Sequence, residues 1–209
     1  MDIRGYSWQY LRRMNVWISS VISTLLMKLV CILKGVSLGR NPTFTGLTRI
    51  RRYPDSTICI GETCRFNSSR NSVRIGLFKP CALVTLRKNA RIELGEHVGC
   101  TSVTLAAANS IVIGNNVLLG ANVFIMDTDW HNTNPDERQS FDIISKPVII
   151  ENGVFIGYNS VVLKGVTIGE NSVIAANSLV MSNIPPNSIA MGNPCKVILK
   201  RNWDTSSDV

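Results

Sequence analysis

Residues 150–180 read IENGVFIGYNSVVLKGVTIGENSVIAANSLV, and their aliphatic residues keep a fixed beat. Ile150, Ile156, Val162, Ile168, Ile174 and Val180 stand six residues apart, with glycine directly after two of them at 157 and 169. The fifth place of successive hexads holds Val154, Ser160, Val166, Ser172 and Ser178, always small or β-branched. A period of six suits neither an amphipathic helix, which repeats every 3.6 residues, nor an alternating strand, which repeats every two. It suits a solenoid in which each hexad supplies one short strand and one turn, and three hexads close a triangular coil. The aliphatic residue then points into the prism and stacks on its counterpart one coil away. Glycine and asparagine take the corners, where a positive φ is often required. Each coil touches only its neighbours, so stability comes from stacking and the ends need caps.

Upstream, the beat runs through Ile113, Leu119 and Ile125, with Gly114 and Gly120 following and Val117 and Val123 in fifth place. Leu94-Gly95 and Ile60-Gly61 extend it with looser timing. Leu94 to Ile113 is 19 residues, one more than three hexads, which predicts a one-residue bulge within Ala106 to Asn109. The chain is therefore expected to be mainly β. Residues 1–40 form a helix and linker, 41–184 the coiled domain, and 185–209 a closing segment and tail.

The step from Ile125 to Ile150 is 25 residues, four hexads plus one, and the beat is lost inside it. The intervening MDTDWHNTNPDERQSFDIISKP is polar and turn-rich, cannot stack in a prism, and is predicted to loop outward over 127–147. Loops held by a rigid scaffold commonly carry function. This one holds His131, one of only two histidines, shortly after Asp127 and Asp129. A histidine titrating near ~6.5 is suited to general-base work at neutral pH. An aspartate accepting from its other ring nitrogen would fix the tautomer and favour the imidazolium that forms. Asp127 and Asp129 both fit that part. The other histidine, His97 in LGEHVG, falls within a hexad and reads as plain surface outside the prism.

The remaining features narrow the class. The chain of 209 residues suits one domain. Its 45% hydrophobic and 17% charged content is globular. A net charge of +8 invites an anionic partner, yet the bases are dispersed and carry no DNA- or RNA-binding signature, so nucleic acid is not expected. Cys31, Cys59, Cys64, Cys81, Cys100 and Cys195 form no CxxC pair and read as reduced thiols of a cytoplasmic protein. Residues 6–34 lack Gly and Pro and predict a helix ended by Gly35. Leu11, Met14, Ile18, Val21, Ile22, Leu25, Leu29 and Ile32 form one apolar stripe, with Ser19, Ser20, Ser23, Lys28 and Cys31 largely opposite. Lys28 and the serines interrupt a membrane span, and no small-residue cleavage site marks a removable signal peptide. Two readings stay open: packing on the domain or another subunit, or peripheral association with the inner face of a membrane, where Arg4, Arg12, Arg13, Lys28 and Lys34 would meet anionic headgroups.

IGENSVIAANSLV (168–180) and IGNNVLLGANVFI (113–125) resemble the hexapeptide-repeat acyltransferases, and the similarity spans roughly residues 44 to 200. The nearest branch is that of sugar and surface-polysaccharide O-acetyltransferases. The resemblance implies a left-handed parallel β-helix, an acetyl-coenzyme A cosubstrate, no required metal, and a homotrimer whose active sites lie between subunits. It implies that His131, ahead of Arg138, is the general base on an extruded catalytic loop. With a carbohydrate acceptor, Trp130 suits stacking on a sugar or anchoring the loop, Asn132 is a candidate acceptor contact, and Arg138 is either an acceptor contact or a solvated loop arginine. The family often places an oxyanion-donating asparagine on a coil before this loop, where the register here puts Cys100, beside Thr101 and Ser102. IPPNSIAMGNPCKVI (184–198) is similar to the family's closing segment. It implies coenzyme A contacts at Gly192, Asn193, Pro194, Lys196 and Lys200, with Ala176 leaving room for the pantetheine arm. Met181-Ser182 replace the Thr-Lys pair of several sugar acetyltransferases. An N-acyltransferase on an amino-sugar nucleotide and a non-catalytic scaffold are the alternatives. A zinc hydratase on the same prism would need three histidines, and the chain has two.

Overall fold

The computed structural model describes residues 2–70, 72, 79–132, 134–138 and 143–200. One long helix, α1 (Ile3–Leu33), precedes a succession of short strands that fall into three sheets. From Ser37 to Val180, each strand pairs in parallel with the third strand before or after it, so the chain visits the sheets in strict rotation. Pairing at that interval is what the hexad beat requires.

The register places the beat residues in three inward columns. In the first sheet Leu38, Ile60, Leu94, Ile113, Ile150 and Ile168 stand on one another. Phe44, Phe66, Cys100, Leu119, Ile156, Ile174 and Ala190 form the second. Ile50, Leu83, Leu105, Ile125, Val162 and Val180 form the third. Leu38 is half-buried and the rest are buried. A buried side chain of this size stabilises by roughly 1.5–3 kcal/mol, so the columns are the core.

The corners follow from the same stacking. Asn116, Asn122, Asn159, Asn171 and Asn177 turn the chain with φ of 55–63°. Asn122 donates to Asn159 at 2.5 Å and Asn159 to Asn177 at 2.9 Å, an amide ladder along one corner. The glycine after a beat residue is needed because the coils approach closely. A Cβ on Gly61 would stand 2.3 Å from the Gly95 carbonyl oxygen, and both are backbone. His97 occupies such a corner at φ 58°, exposed, with Nδ1 2.5 Å from the Thr63 hydroxyl. Between Leu94 and Ile113 the step from Cys100 to Leu105 is five residues and that from Leu105 to Ile113 is eight, and the longer one turns at the bend of residues 108–109, between strands Thr104–Ala107 and Ser110–Ile113.

Helix α1 closes the open end of the first coil. Strand Thr43–Thr45 has no preceding coil to pair with, and helix side chains bond its backbone instead. The Ser23 hydroxyl meets the Phe44 carbonyl at 2.6 Å and accepts the Gly46 amide at 3.0 Å. Thr24 Oγ1 accepts the Phe44 amide at 2.9 Å, and Lys34 Nζ donates to the Ile50 carbonyl at 2.6 Å. Ser23, Met27 and Cys31 are the buried helix residues, so the small, polar side faces the coil and the apolar stripe faces out.

Ile125→Ala is expected to cost ~2–5 kcal/mol by leaving a hole in a column. Ile149→Ala, on the outer side and 40% exposed, should cost less than about 1 kcal/mol. Guanidinium denaturation measures both. Ser23→Ala should cost about 1–3 kcal/mol, because the Phe44 carbonyl and Gly46 amide lose a buried partner.

Candidate active site

The loop leaves the coil directly after strand Phe124–Met126, and its first residues are tied down on both sides. Asp127 is fully buried and faces back to the preceding coil. Its two carboxylate oxygens accept the backbone amides of Ala108 at 2.6 Å and Asn109 at 2.7 Å, capping the bend that absorbs the extra residue. Burial pushes the Asp127 carboxyl above the ordinary range, and these amides pull it back. Asp129 Oδ1 accepts from Lys164 Nζ at 2.5 Å, both side chains about a quarter exposed. The neck is closed by an antiparallel bridge between Thr128 and Ser145, with the Lys146 amide donating to the Asp127 carbonyl at 2.9 Å.

Past the neck the chain turns sharply. Trp130 adopts φ 66°, a left-handed conformation that costs a bulky residue on the order of 1–3 kcal/mol, and its side chain is 43% exposed. His131 follows, exposed, and no hydrogen bond among the described residues reaches its ring. Asn132 is half-buried and braces the tip, donating to Glu137 at 2.9 Å and accepting the Asn134 amide at 3.0 Å. Asn134 caps the short 3-10 helix Pro135–Glu137, and exposed Arg138 ends it.

Sequence reasoning left Asp127 and Asp129 as equal candidates to orient His131. The structure holds them differently: both oxygens of Asp127 accept from the coil, and Asp129 Oδ1 accepts from Lys164. Lys164 was missed, although register carries the signal: Ile125 pairs with Val162, which sets Lys164 one coil above Asp127. Cys100 is 1% exposed and belongs to the second column, so its thiol points into the core and not toward a site.

The candidate cofactor residues gather at another corner. Ala176 lies exposed where the chain passes from the second sheet to the third. A Cβ on Gly157, one coil below, would stand 2.6 Å from the Ala176 nitrogen. The closing segment folds back to the same corner. Gly192, at φ 104°, donates its amide to Ser178 Oγ, and the Cys195 amide donates to the Leu179 carbonyl. Asn193, Pro194 and Lys196 are exposed there, and the Lys200 side chain lies outside the described residues. Between this corner and the loop runs the outer face of the third sheet, where half-buried Phe124, Met126, Val161, Leu163 and Leu179 and exposed Met181 form a largely apolar surface, with the Lys79 ammonium 5.4 Å from the Phe124 ring centre. A cavity of about 800 Å³ opens elsewhere, beside the helix, lined by Trp8, Leu11, Arg12, Thr45 and Arg70. Among the described residues, no three His, Cys, Asp or Glu side chains gather as a metal-holding group.

A family model described as the hexapeptide repeat of succinyl-transferase matches residues 98–126 and 147–182. Those two stretches, 29 and 36 residues long, lie in the coil on either side of the loop. The unmatched interval between those two stretches is the loop itself. Galactoside O-acetyltransferase of Lactococcus lactis is 46% identical over 115 residues, covering 55% of either chain. A putative lipopolysaccharide biosynthesis O-acetyltransferase of Escherichia coli is 35% identical over 114 residues, covering 49% of this chain and 57% of its own length. The chain thus spans little more than half the length of these curated relatives. A solved hexapeptide-repeat-containing acetyltransferase of Vibrio cholerae is 35% identical with a TM-score of 0.50, covering 52% of this chain and 62% of that one. The resemblance to hexapeptide-repeat acetyltransferases read from the hexads therefore stands on repeat, sequence and fold together.

Asp127→Ala removes the acceptor for two buried amides and is expected to lower stability by about 2–4 kcal/mol in chemical denaturation. Asp127→Asn should recover only part of this, because its amide turns a donor toward one of the two N–H groups.

Proposed function

We propose that the chain is an acetyl-coenzyme A-dependent O-acetyltransferase acting on a carbohydrate hydroxyl, with His131 as general base. The observation that carries the proposal is the placement of His131. It stands exposed on the loop that follows strand Phe124–Met126, in a coil whose relatives are named galactoside O-acetyltransferase and putative lipopolysaccharide biosynthesis O-acetyltransferase. Residues 41–184 are proposed to form a left-handed parallel β-helix, with 1–40 as its cap and 185–209 as its closing segment.

In this reading His131 removes the proton of the attacking sugar hydroxyl as its oxygen adds to the thioester carbonyl. The tetrahedral intermediate collapses with cleavage of the C–S bond. The proton held on the imidazolium passes to the departing coenzyme A thiolate, so the ring ends neutral. Asp129 is the positioning residue for the ring, because Lys164 engages Oδ1 and leaves the second oxygen to accept from it. Trp130, Asn132 and Arg138 flank the base and are assigned to the acceptor. Gly192, Asn193, Pro194, Lys196 and Lys200 are assigned to the cofactor's nucleotide end, where lysine suits phosphate. Ala176 is assigned to its pantetheine arm. The apolar outer face of the third sheet supports a homotrimer, since a second copy would bury it and complete a cleft beside the loop. The chain is placed in the cytoplasm, where acetyl-coenzyme A is available.

Thiol release from acetyl-coenzyme A, followed over a panel of oligosaccharides and glycosides, tests the proposal. His131→Ala is expected to lower the rate by roughly 10²–10⁴-fold. Its sedimentation and unfolding should stay unchanged, because the exposed ring makes no hydrogen bond to the coil among the described residues. Full turnover by that variant would remove the histidine from the mechanism. No thiol release with any saccharide, with no coenzyme A binding, would favour the scaffold reading.

A further inference from the structure

We infer that the outward face of α1 seats on an anionic phospholipid bilayer, with the helix lying in the plane of the membrane. The coil takes one side of the helix and leaves the other without cover. Ile22 (55% exposed), Leu25 (65%), Leu29 (54%), Ile32 (72%) and Leu33 (76%) project away from it as one apolar strip. Exposure on this scale marks an interaction surface.

The occupant is chosen by charge. Residues 1–70 hold eleven Lys and Arg against three Asp and Glu, while residues 71–209 hold eleven of each. The whole net charge of +8 therefore resides in the helix and the first coils, and all eleven of those cations are exposed. Trp8, Trp17, Tyr6 and Tyr10 are also exposed on the helix, and such side chains favour the headgroup region. Arg4 stands in line with the strip and Lys28 at its edge, both exposed, and an apolar strip with cations so placed suits anionic lipid. A second copy of the helix offers the same cations and, besides Asp2, no carboxylate to meet them.

Orientation follows from what holds the coil. By length and composition the helix could cross a bilayer, with a mean hydropathy of 2.1 in its most apolar window. Yet Ser20, Ser23 and Thr24 bond to residues 44–46, and Met27 and Cys31 are buried. A crossing would carry the end of the coil and its polar backbone into hydrocarbon. Lying flat keeps both faces of the helix satisfied.

The full chain is tested by co-sedimentation with extruded vesicles of phosphatidylcholine alone and of phosphatidylcholine with phosphatidylglycerol. Binding is expected to favour the anionic vesicles by about tenfold or more, to weaken in high salt, and to be released by alkaline carbonate. Leu25→Glu/Leu29→Glu should lose most of the binding while keeping its circular dichroism and cooperative unfolding. Should that variant misfold, Arg4→Gln/Lys28→Gln must lose most of the preference for anionic vesicles. The inference is overturned by a folded wild type that stays in solution with both vesicles, or by retention through the carbonate wash. Glutamate substitutions that dissociate an oligomer of a non-binding protein would assign the face to a second copy instead.

Discussion

The coil answers to one constraint: a buried apolar residue must arrive at the axis of the prism on each side of every turn. The columns formed in this way are continuous from Leu38 to Val180, and parallel pairing between coils is possible only when they are kept in register. That explains the glycines, because coils a strand's spacing apart (~4.8 Å) leave no room for a Cβ where backbone faces backbone. It explains the asparagines, whose left-handed corners also bond to one another. It also explains why a polar insertion has nowhere to go but outward, and why its root must be anchored as firmly as Asp127 and Asp129 anchor it.

A stack has two ends, and the end at the amino terminus is closed in an unusual way. The first coil needs hydrogen-bond partners for strand Thr43–Thr45 more than it needs apolar cover. The helix therefore presents serine and threonine to it, with Met27 and Cys31 filling the gap. The cost is an apolar stripe left facing away from the coil, in the part of the chain that holds all the net positive charge.

Much of this was legible in the residues, and the limits of legibility have physical causes. From Ile113 onward the hexads are unbroken except at the loop, and each beat residue lies in the expected column. Before Leu94 the beat survives only in fragments: Leu38, Phe44 and Ile50 are six apart, as are Ile60 and Phe66. The steps to Ile60, Leu83 and Leu94 are 10, 17 and 11 residues, so Leu83 reaches the axis without a readable interval. The apolar stripe of the helix was visible, but which side meets the coil depends on the hydrogen-bonding need of a strand edge, which periodicity does not register. Asp127 and Asp129 look equivalent in DTDWH. They differ because one lies under the extra residue of the preceding coil and the other beside Lys164.

The proposed chemistry asks little of the loop except position, as befits a thioester whose leaving group needs no strong acid. The base lies on one side of the apolar third-sheet face, the small-residue corner and closing segment on the other, and a neighbouring copy would wall the space between. A crystal structure of the chain grown with coenzyme A measures this most directly. The account predicts a threefold assembly with the cofactor along the Ala176 corner, its sulfur directed to a His131 ring within about 4 Å. A cofactor seated away from that corner, or a His131 loop remote from every thiol, would contradict it.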